Sequence, residues 1–230
     1  MTPEREVFDA IKAGDTARLR ELLGAHPAAV SAKDPSGLSP LMLACYGGLD
    51  DGVEVLLAAG ARPDVFEAAA IGDTARLAQH IDADSKLVHA FSPDGFPPLN
   101  LAAYFGHTKA VDYLLERGAD PNAVSKNALR LRPIHGAAAH RNPARSTAIA
   151  KKLMERGADV NVKQAGGWTP LHQALSSGNA ELARALLTRG AKSDVRSDDG
   201  KSPRDLAIAK GHRELAREFG GEESGTETGT

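Results

Sequence analysis

The chain has 230 residues, of which 42% are hydrophobic, and its 28 lysines and arginines nearly balance its 30 aspartates and glutamates. The resulting net charge of −2 does not favour a nucleic-acid binder or a protein of membrane surfaces. A single cysteine, Cys45, excludes an intramolecular disulfide and a cysteine-rich metal site. The charged start and the lack of a long apolar run predict neither a signal peptide nor a membrane span, so we expect a cytoplasmic protein.

A short helix opening recurs along the chain: a Ser or Thr, then Pro and Leu, leading to an alanine. The hydroxyl group caps free N–H groups of the helix, and proline is tolerated at the first helical position. A glycine follows four residues after the alanine in six of seven copies and suits a helix end. The alanines are 34, 24, 34, 35, 37 and 33 residues apart, which predicts stacked helix–turn–helix units; they are Ala10, Ala44, Ala68, Ala102, Ala137, Ala174 and Ala207.

A larger duplication lies within the first four copies. Residues 8–61 correspond to residues 66–119 at a constant offset of 58. The first and third openings, at Val7 and Val65, lack the proline. Because the chain passes from Gly60 directly into the third opening, we expect the hairpin-like loop between the second and third units to be missing.

Several motifs match one family pattern in register. Gly167–Ala174 reads Gly-x-Thr-Pro-Leu-His-x-Ala, Gly106-His107 and Gly211-His212 form a Gly-His turn, and closings of the type Gly-Ala-Asp-x-Asn end at Asn122 and Asn161. The chain therefore resembles an ankyrin-repeat protein over about residues 4–219. The resemblance implies an all-α solenoid of about seven helix–turn–helix units joined by hairpin-like loops. It also implies that the histidines at the helix openings tie neighbouring loops together by hydrogen bonds, at His135 and His172.

The expected organisation is one ankyrin-repeat domain over residues 1–219. Its units are approximately 4–37, 38–62, 63–95, 96–130, 131–166, 167–199 and 200–219. The final segment, 220–230, consists of Gly, Glu, Ser and Thr, and we expect a disordered acidic tail there.

No residues in the sequence have the spacing of a catalytic site. There is no Gly-x-Ser-x-Gly elbow, phosphate loop or dinucleotide fingerprint, and no pair of histidines with zinc-site spacing. We therefore expect no enzyme, no metal and no cofactor. The resemblance instead implies a scaffold or adaptor that binds another protein through the concave surface of its loops and first helices. We expect it to be a monomer.

Five of the ten aromatic residues fall at the variable positions of that surface. Exposed apolar and aromatic groups mark interaction sites, and Trp and Tyr are favoured as binding anchors. Some of these side chains could instead cover neighbouring loops, and the sequence leaves that alternative open. The candidate contact residues are Leu38, Tyr46, Phe96, Tyr104, Phe105 and Trp168.

The fifth unit departs most from the repeat. Residues 126–156 carry eight Lys or Arg and one acid, a local charge of +7. The separation of Ala137 from Gly157 is 20 residues, against 16 in three other units, and we expect the four extra residues where the two helices meet. A cationic loop suits an acidic partner segment, although part of it could be a solvated helix face. The candidates are Arg130, Arg132, His140, Arg141 and Arg145.

Two alternatives remain beside the scaffold function. A regulatory or inhibitory subunit of an enzyme would have the same sequence pattern. A binder of anionic ligands or nucleic acid would depend on the basic fifth unit alone, and the overall negative charge does not favour it.

Overall fold

A computed structural model describes residues 2–218 of the chain. Within these residues it contains fourteen α-helices in seven consecutive pairs and no β-strand, which confirms the predicted all-α repeat fold. The predicted acidic tail, 220–230, lies outside the described residues. The helices are α1 Pro3–Ala13, α2 Thr16–Ala25, α3 Pro40–Gly47, α4 Asp50–Ala58, α5 Val65–Ile71, α6 Thr74–Ala83, α7 Pro98–Tyr104, α8 Thr108–Glu116, α9 Pro133–Ala139, α10 Pro143–Glu155, α11 Pro170–Ser176, α12 Ala180–Thr188, α13 Pro203–Ala209 and α14 Arg213–Glu218.

The first helix of a repeat begins as the sequence predicts. Ser39 precedes α3, and its hydroxyl accepts a hydrogen bond from the N–H of Met42 at 3.0 Å. Ser202 caps α13 in the same way, by accepting from the N–H of Asp205 at 3.2 Å. The following proline occupies the first helical position, where a missing N–H costs nothing.

The helices belong to two compact units. The first contains residues up to 102, 109–119 and 125–127, and the second contains 103–108, 120–124 and those from 128 onward. In the first unit α1, α3 and α5 pack side by side, and α2 packs against α4. In the second, α9, α11 and α13 form one row, and α10 packs against α12. Each unit thus buries a leucine-rich core between its first and second helices.

The loops that connect the helix pairs differ in length as expected. We call a loop of fourteen or more residues that precedes a first helix the finger of that helix. Fourteen residues, 26–39, separate α2 from α3, and fourteen, 84–97, separate α6 from α7. Only six residues, 59–64, separate α4 from α5. The α5 repeat therefore has no finger, and this prediction is confirmed.

Two predictions about helix limits are wrong. Helix α1 begins at Pro3, one turn before the expected opening at Val7, because Thr2 and Pro3 supply a capping residue and a first helical position of their own. The four extra residues of the fifth repeat do not lie where its helices meet. Only 140–142 separate α9 from α10, as 177–179 separate α11 from α12, whereas α10 has 13 residues and α12 has 9. The insertion is an additional turn of α10.

Helix α10, with its additional turn, packs against α12. Its buried side chains include Ser146 and Thr147, and the Thr147 hydroxyl lies 3.3 Å from the side-chain oxygen of Asn179. The Asn179 amide group donates to the carbonyl of Pro143 at 3.2 Å. The longer helix is thus joined to the start of α12. Within residues 2–218, no helix is long and apolar enough to cross a membrane.

Candidate functional site

The fingers are held together by backbone hydrogen bonds. In the first compact unit the N–H of Lys126 donates to the carbonyl of Gly95 at 2.8 Å. In the second, the N–H of Ala165 donates to Leu129 and that of Asp198 to Gly166, both at 3.0 Å. Because these bonds join neighbouring fingers, the backbone near their tips is held in a defined position.

The histidines at the third helical position link each repeat to the next finger, as the resemblance implied. His135 accepts from the N–H of Arg132 through Nδ1 at 3.1 Å, and its Nε2–H donates to the carbonyl of Val162 at 3.2 Å. His172 makes the same pair of bonds, to Thr169 and to Lys201. Burial lowers the pKa of His135 to about 4 and also lowers the pKa of His172, so both stay neutral at physiological pH.

In the α5 repeat a carboxylate takes that third helical position. The Glu67 side chain is buried, accepts from the N–H of Asp64 at 2.8 Å and accepts from the Ser39 hydroxyl of the preceding repeat. The ammonium group of Lys33 lies 3.9 Å away. Where the finger is missing, Glu67 thus connects α5 to the start of α3.

Around the missing finger, two other fingers come into contact. A Cβ atom on Gly37, in the finger of α3, would lie 3.1 Å from Pro93 in the finger of α7. From the end of α3, the Tyr46 hydroxyl donates to the Asp94 carboxylate at 2.5 Å. The predicted contact residues Leu38 and Phe96 lie within these two fingers and are half-buried. Sequence inspection missed Asp94 as a partner of Tyr46, because 48 residues separate them.

In the second compact unit the aromatic candidates form two separate groups. Tyr104, at the end of α7, is 44% exposed, and the ring of Phe105 meets it edge to face with centroids 5.1 Å apart. Gly136 of α9 allows the close approach, since a Cβ there would lie 3.2 Å from the Tyr104 Cβ. Trp168 is half-buried, and its ring lies 6.1 Å from that of His172.

The cations of the fifth repeat divide into two sets. Some are engaged within the protein: Lys126 lies 4.0 Å from the centre of the Phe91 ring, and Lys151 pairs with Glu181 at 2.7 Å. Of the predicted set, three are exposed and Arg132 is half-buried. Across residues 2–218, no carboxylate lies within ion-pair distance of the set, which comprises Arg130, Arg132, Arg141 and Arg145.

Arg130 also has an unusual backbone. It stands three residues before Pro133, where the other fingers carry glycine, and its φ of 51° is positive like that of Gly95, at 86°. Its neighbour Leu129 is 53% exposed, the largest value among the large hydrophobic residues that the structure describes. We did not predict Leu129, although the missing glycine beside it was a usable signal.

His140, another predicted site residue, has a packing role. Its ring occupies the space beside Gly106, where any added Cβ would overlap it, as the His212 ring does beside Gly178. Its Nδ1 accepts from the N–H of Asn142 at 3.0 Å. Arg141 stands where the other repeats carry the turn glycine. The ring of the preceding His140 packs against Gly106, the turn glycine of the preceding repeat, and this contact fixes the turn that carries Arg141.

The described residues carry little that could perform covalent or metal chemistry. No group of three or more His, Cys, Asp or Glu that could hold a metal ion is present in 2–218. Burial raises the pKa of the Cys45 thiol to about 12, so it remains protonated and is a poor nucleophile at neutral pH.

The construction is that of a helical-repeat protein in which paired helices form the core and fingers and helix ends are left to contact other molecules. A family model described as ankyrin repeats (3 copies) matches residues 7–125 and 134–225. The chain belongs to the ankyrin-repeat family. Ankyrin repeats are generally protein–protein interaction modules and typically not enzymes.

Individual relatives resemble parts of the chain. Rat ankyrin repeat and SAM domain-containing protein 6 is 32% identical over 112 residues, which are 47% of this chain and 12% of that protein. The putative ankyrin repeat protein FPV014 of fowlpox virus is 29% identical over 179 residues, 74% of this chain and 39% of its own length. Human DNA-binding protein RFXANK is 37% identical over 62 residues, 27% of this chain and 24% of its own. The chain thus spans well under two thirds of these relatives.

Proposed function

We propose that the chain is a scaffold or adaptor that binds a partner protein through the fingers and first-helix ends of its repeats. The observation that carries the proposal is the exposed Tyr104, whose ring stands edge to face against Phe105. Large aromatic side chains that remain exposed on a fixed framework are typical binding anchors. The preorganised fingers reduce the entropy that would be lost on binding.

The contact residues fall into an aromatic and a cationic group. Leu38, Tyr46 and Phe96 would contribute apolar area in the first compact unit, as Tyr104, Phe105 and Trp168 would in the second. Arg130, Arg132, Arg141 and Arg145 would attract an acidic segment of the partner, since no carboxylate among residues 2–218 pairs with them. His140 would support this group by fixing the turn beside Arg141.

The test is joint replacement of Tyr104, Phe105 and Trp168 by alanine. We expect a natural partner, captured with the tagged chain and identified by mass spectrometry, to bind the triple variant at least tenfold more weakly, because aromatic anchors carry most of an interface's energy. Leu57→Ala is the matched control: it removes an exposed apolar side chain from the second helix α4. If the folded triple variant retains the partner as well as the control does, the proposed surface is wrong.

A further inference from the structure

The finger of α9 contains a strained backbone conformation at Arg130. Arg130 is the one non-glycine residue with positive φ in the part of the chain that the structure describes. Glycine occupies this place in the other fingers, as at Gly37 and Gly200, with φ of 85° and 78°. A side chain with a Cβ is disfavoured in this region because the Cβ approaches the following carbonyl oxygen. Glycine would serve the loop better than arginine does.

The Arg130 side chain contributes no ion pair to the structure of residues 2–218. It is exposed, and no carboxylate of residues 2–218 pairs with it. The neighbouring Leu129 is also exposed, yet its carbonyl is fixed by the hydrogen bond from Ala165 at 3.0 Å. The fingertip is therefore held in place while it presents one cation and one aliphatic side chain to the solvent.

Strained residues that the surrounding structure holds in place concentrate at ligand-binding positions, because the strain is retained for what the side chain does. We infer that Leu129 and Arg130 form a contact site for an acidic peptide segment of a partner protein, in which carboxylates flank an apolar side chain. Arg130 would receive a carboxylate in a two-pronged contact, and Leu129 would cover the apolar side chain. This inference rests on the proposed function, and it specifies the chemistry of the partner segment that one part of the proposed surface binds.

The charge of this stretch of the chain favours that occupant. Residues 126–156 carry a net charge of +7, and Arg132, two residues after Arg130, has no carboxylate partner among residues 2–218. Nucleic acid is the less suitable occupant, since the chain as a whole is negative and the fingertip offers an aliphatic rather than an aromatic group for stacking.

The first arm of the test measures stability without any ligand. Arg130→Gly should shift the urea midpoint of the full chain upward and lower the unfolding equilibrium constant by about tenfold, because glycine adopts positive φ freely. Arg62→Gly is the matched control: Arg62 is exposed in a loop, and its φ is not positive. The control removes the same charge and should give no stabilisation.

The second arm measures binding by fluorescence anisotropy. The probe is a labelled peptide of glutamates around a single central leucine. Arg130→Gly should weaken its binding by about tenfold or more, which is typical when a hydrogen bond to a charged group is lost. Arg130→Lys should bind the peptide with an affinity between those of the parent and of Arg130→Gly, since lysine keeps the charge but loses the fork geometry. Leu129→Ser should weaken the leucine peptide more than an all-glutamate peptide, and Arg62→Gly should bind both like the parent.

A variant that is more stable yet binds more weakly supports the inference. The inference is overturned if Arg130→Gly binds the probe as well as the parent does, if its stability does not rise, or if duplex DNA competes better than the peptide. It is equally overturned if the parent binds no acidic peptide. In each of these cases the proposed function survives when the natural partner still depends on Tyr104, Phe105 and Trp168.

Discussion

The third and fifth repeats both break the pattern of the chain, and they do so in opposite ways. In the third, the missing finger is compensated by contacts inside the protein: Glu67 holds the start of α3, and Tyr46 reaches Asp94. In the fifth, the longer helix is packed, but the finger keeps a strained Arg130, and neither Arg130 nor Arg132 has a carboxylate partner among residues 2–218. A departure from the repeat pattern whose groups are paired within the protein stabilises the fold. A departure that leaves a strained residue exposed is a candidate for binding.

The largest expected effect concerns Glu67, which stabilises the third repeat where its finger is missing. Glu67→Ala removes two hydrogen bonds to a buried carboxylate, from Ser39 and from the N–H of Asp64, and should cost about 3 kcal/mol of unfolding free energy, as measured by urea denaturation. Glu67→Gln keeps an acceptor and should cost less. A loss below about 1 kcal/mol for the alanine variant would show that the third repeat does not depend on this contact.

The next effect concerns the histidine links that the fifth and sixth repeats keep. The pKa of His135 is about 4 in the folded chain and 6.5 in its unfolded reference state, so the unfolded chain binds a proton first as pH falls. The stabilisation is complete above about pH 6.5 and is lost progressively as pH falls toward 4, and at pH 5 it should be about 2 kcal/mol lower than at pH 7. Denaturation at several pH values measures this.

The matched variants separate His135 from the other titrating groups. His135→Gln should reduce the difference in stability between pH 7 and pH 5 by about 2 kcal/mol, whereas His89→Gln, which changes an exposed histidine, should keep it. Equal pH dependence in the two variants would assign the effect to other residues and would count against the buried link.

The smallest effect concerns the bond across the missing finger. Tyr46→Phe removes the hydroxyl that donates to Asp94 but keeps the ring, and it should cost about 1 kcal/mol. Because the ring remains, binding of the natural partner should change little, whereas Tyr46→Ala should weaken both stability and binding. If Tyr46→Phe abolished binding of the partner without changing stability, Tyr46 would be a binding residue rather than a residue that stabilises the fold.

The sequence predicted what depends on local chemistry and on the repeat period. Capping residues at Ser39 and Ser202, the helix pairs and the absent finger follow from propensity and spacing within one repeat. The additional turn of α10 was placed wrongly, because a longer distance between Ala137 and Gly157 does not say which element contains the insertion. The spacing alone left both possibilities open.

The site was harder to predict than the fold, for a physical reason. Tyr46 and Asp94 lie 48 residues apart and meet because the intervening finger is missing, which no local pattern encodes. At Arg130, by contrast, the loop glycine was visibly absent, so a positive φ on another residue could have been inferred. Which cations lack partners depends on the packing of distant helices, as the pairing of Lys151 with Glu181 shows.

The six-residue connection from α4 to α5 has a consequence for protein engineering. This connection lacks the finger that precedes other first helices, yet α5 and α6 still form their helix pair, with a closed capping box at Asp64. Helix pairing and loop length are thus specified by different residues. A finger of this protein can accordingly be shortened without loss of its helix pair where another contact, such as that of Glu67 with Ser39, replaces the bonds that the finger made.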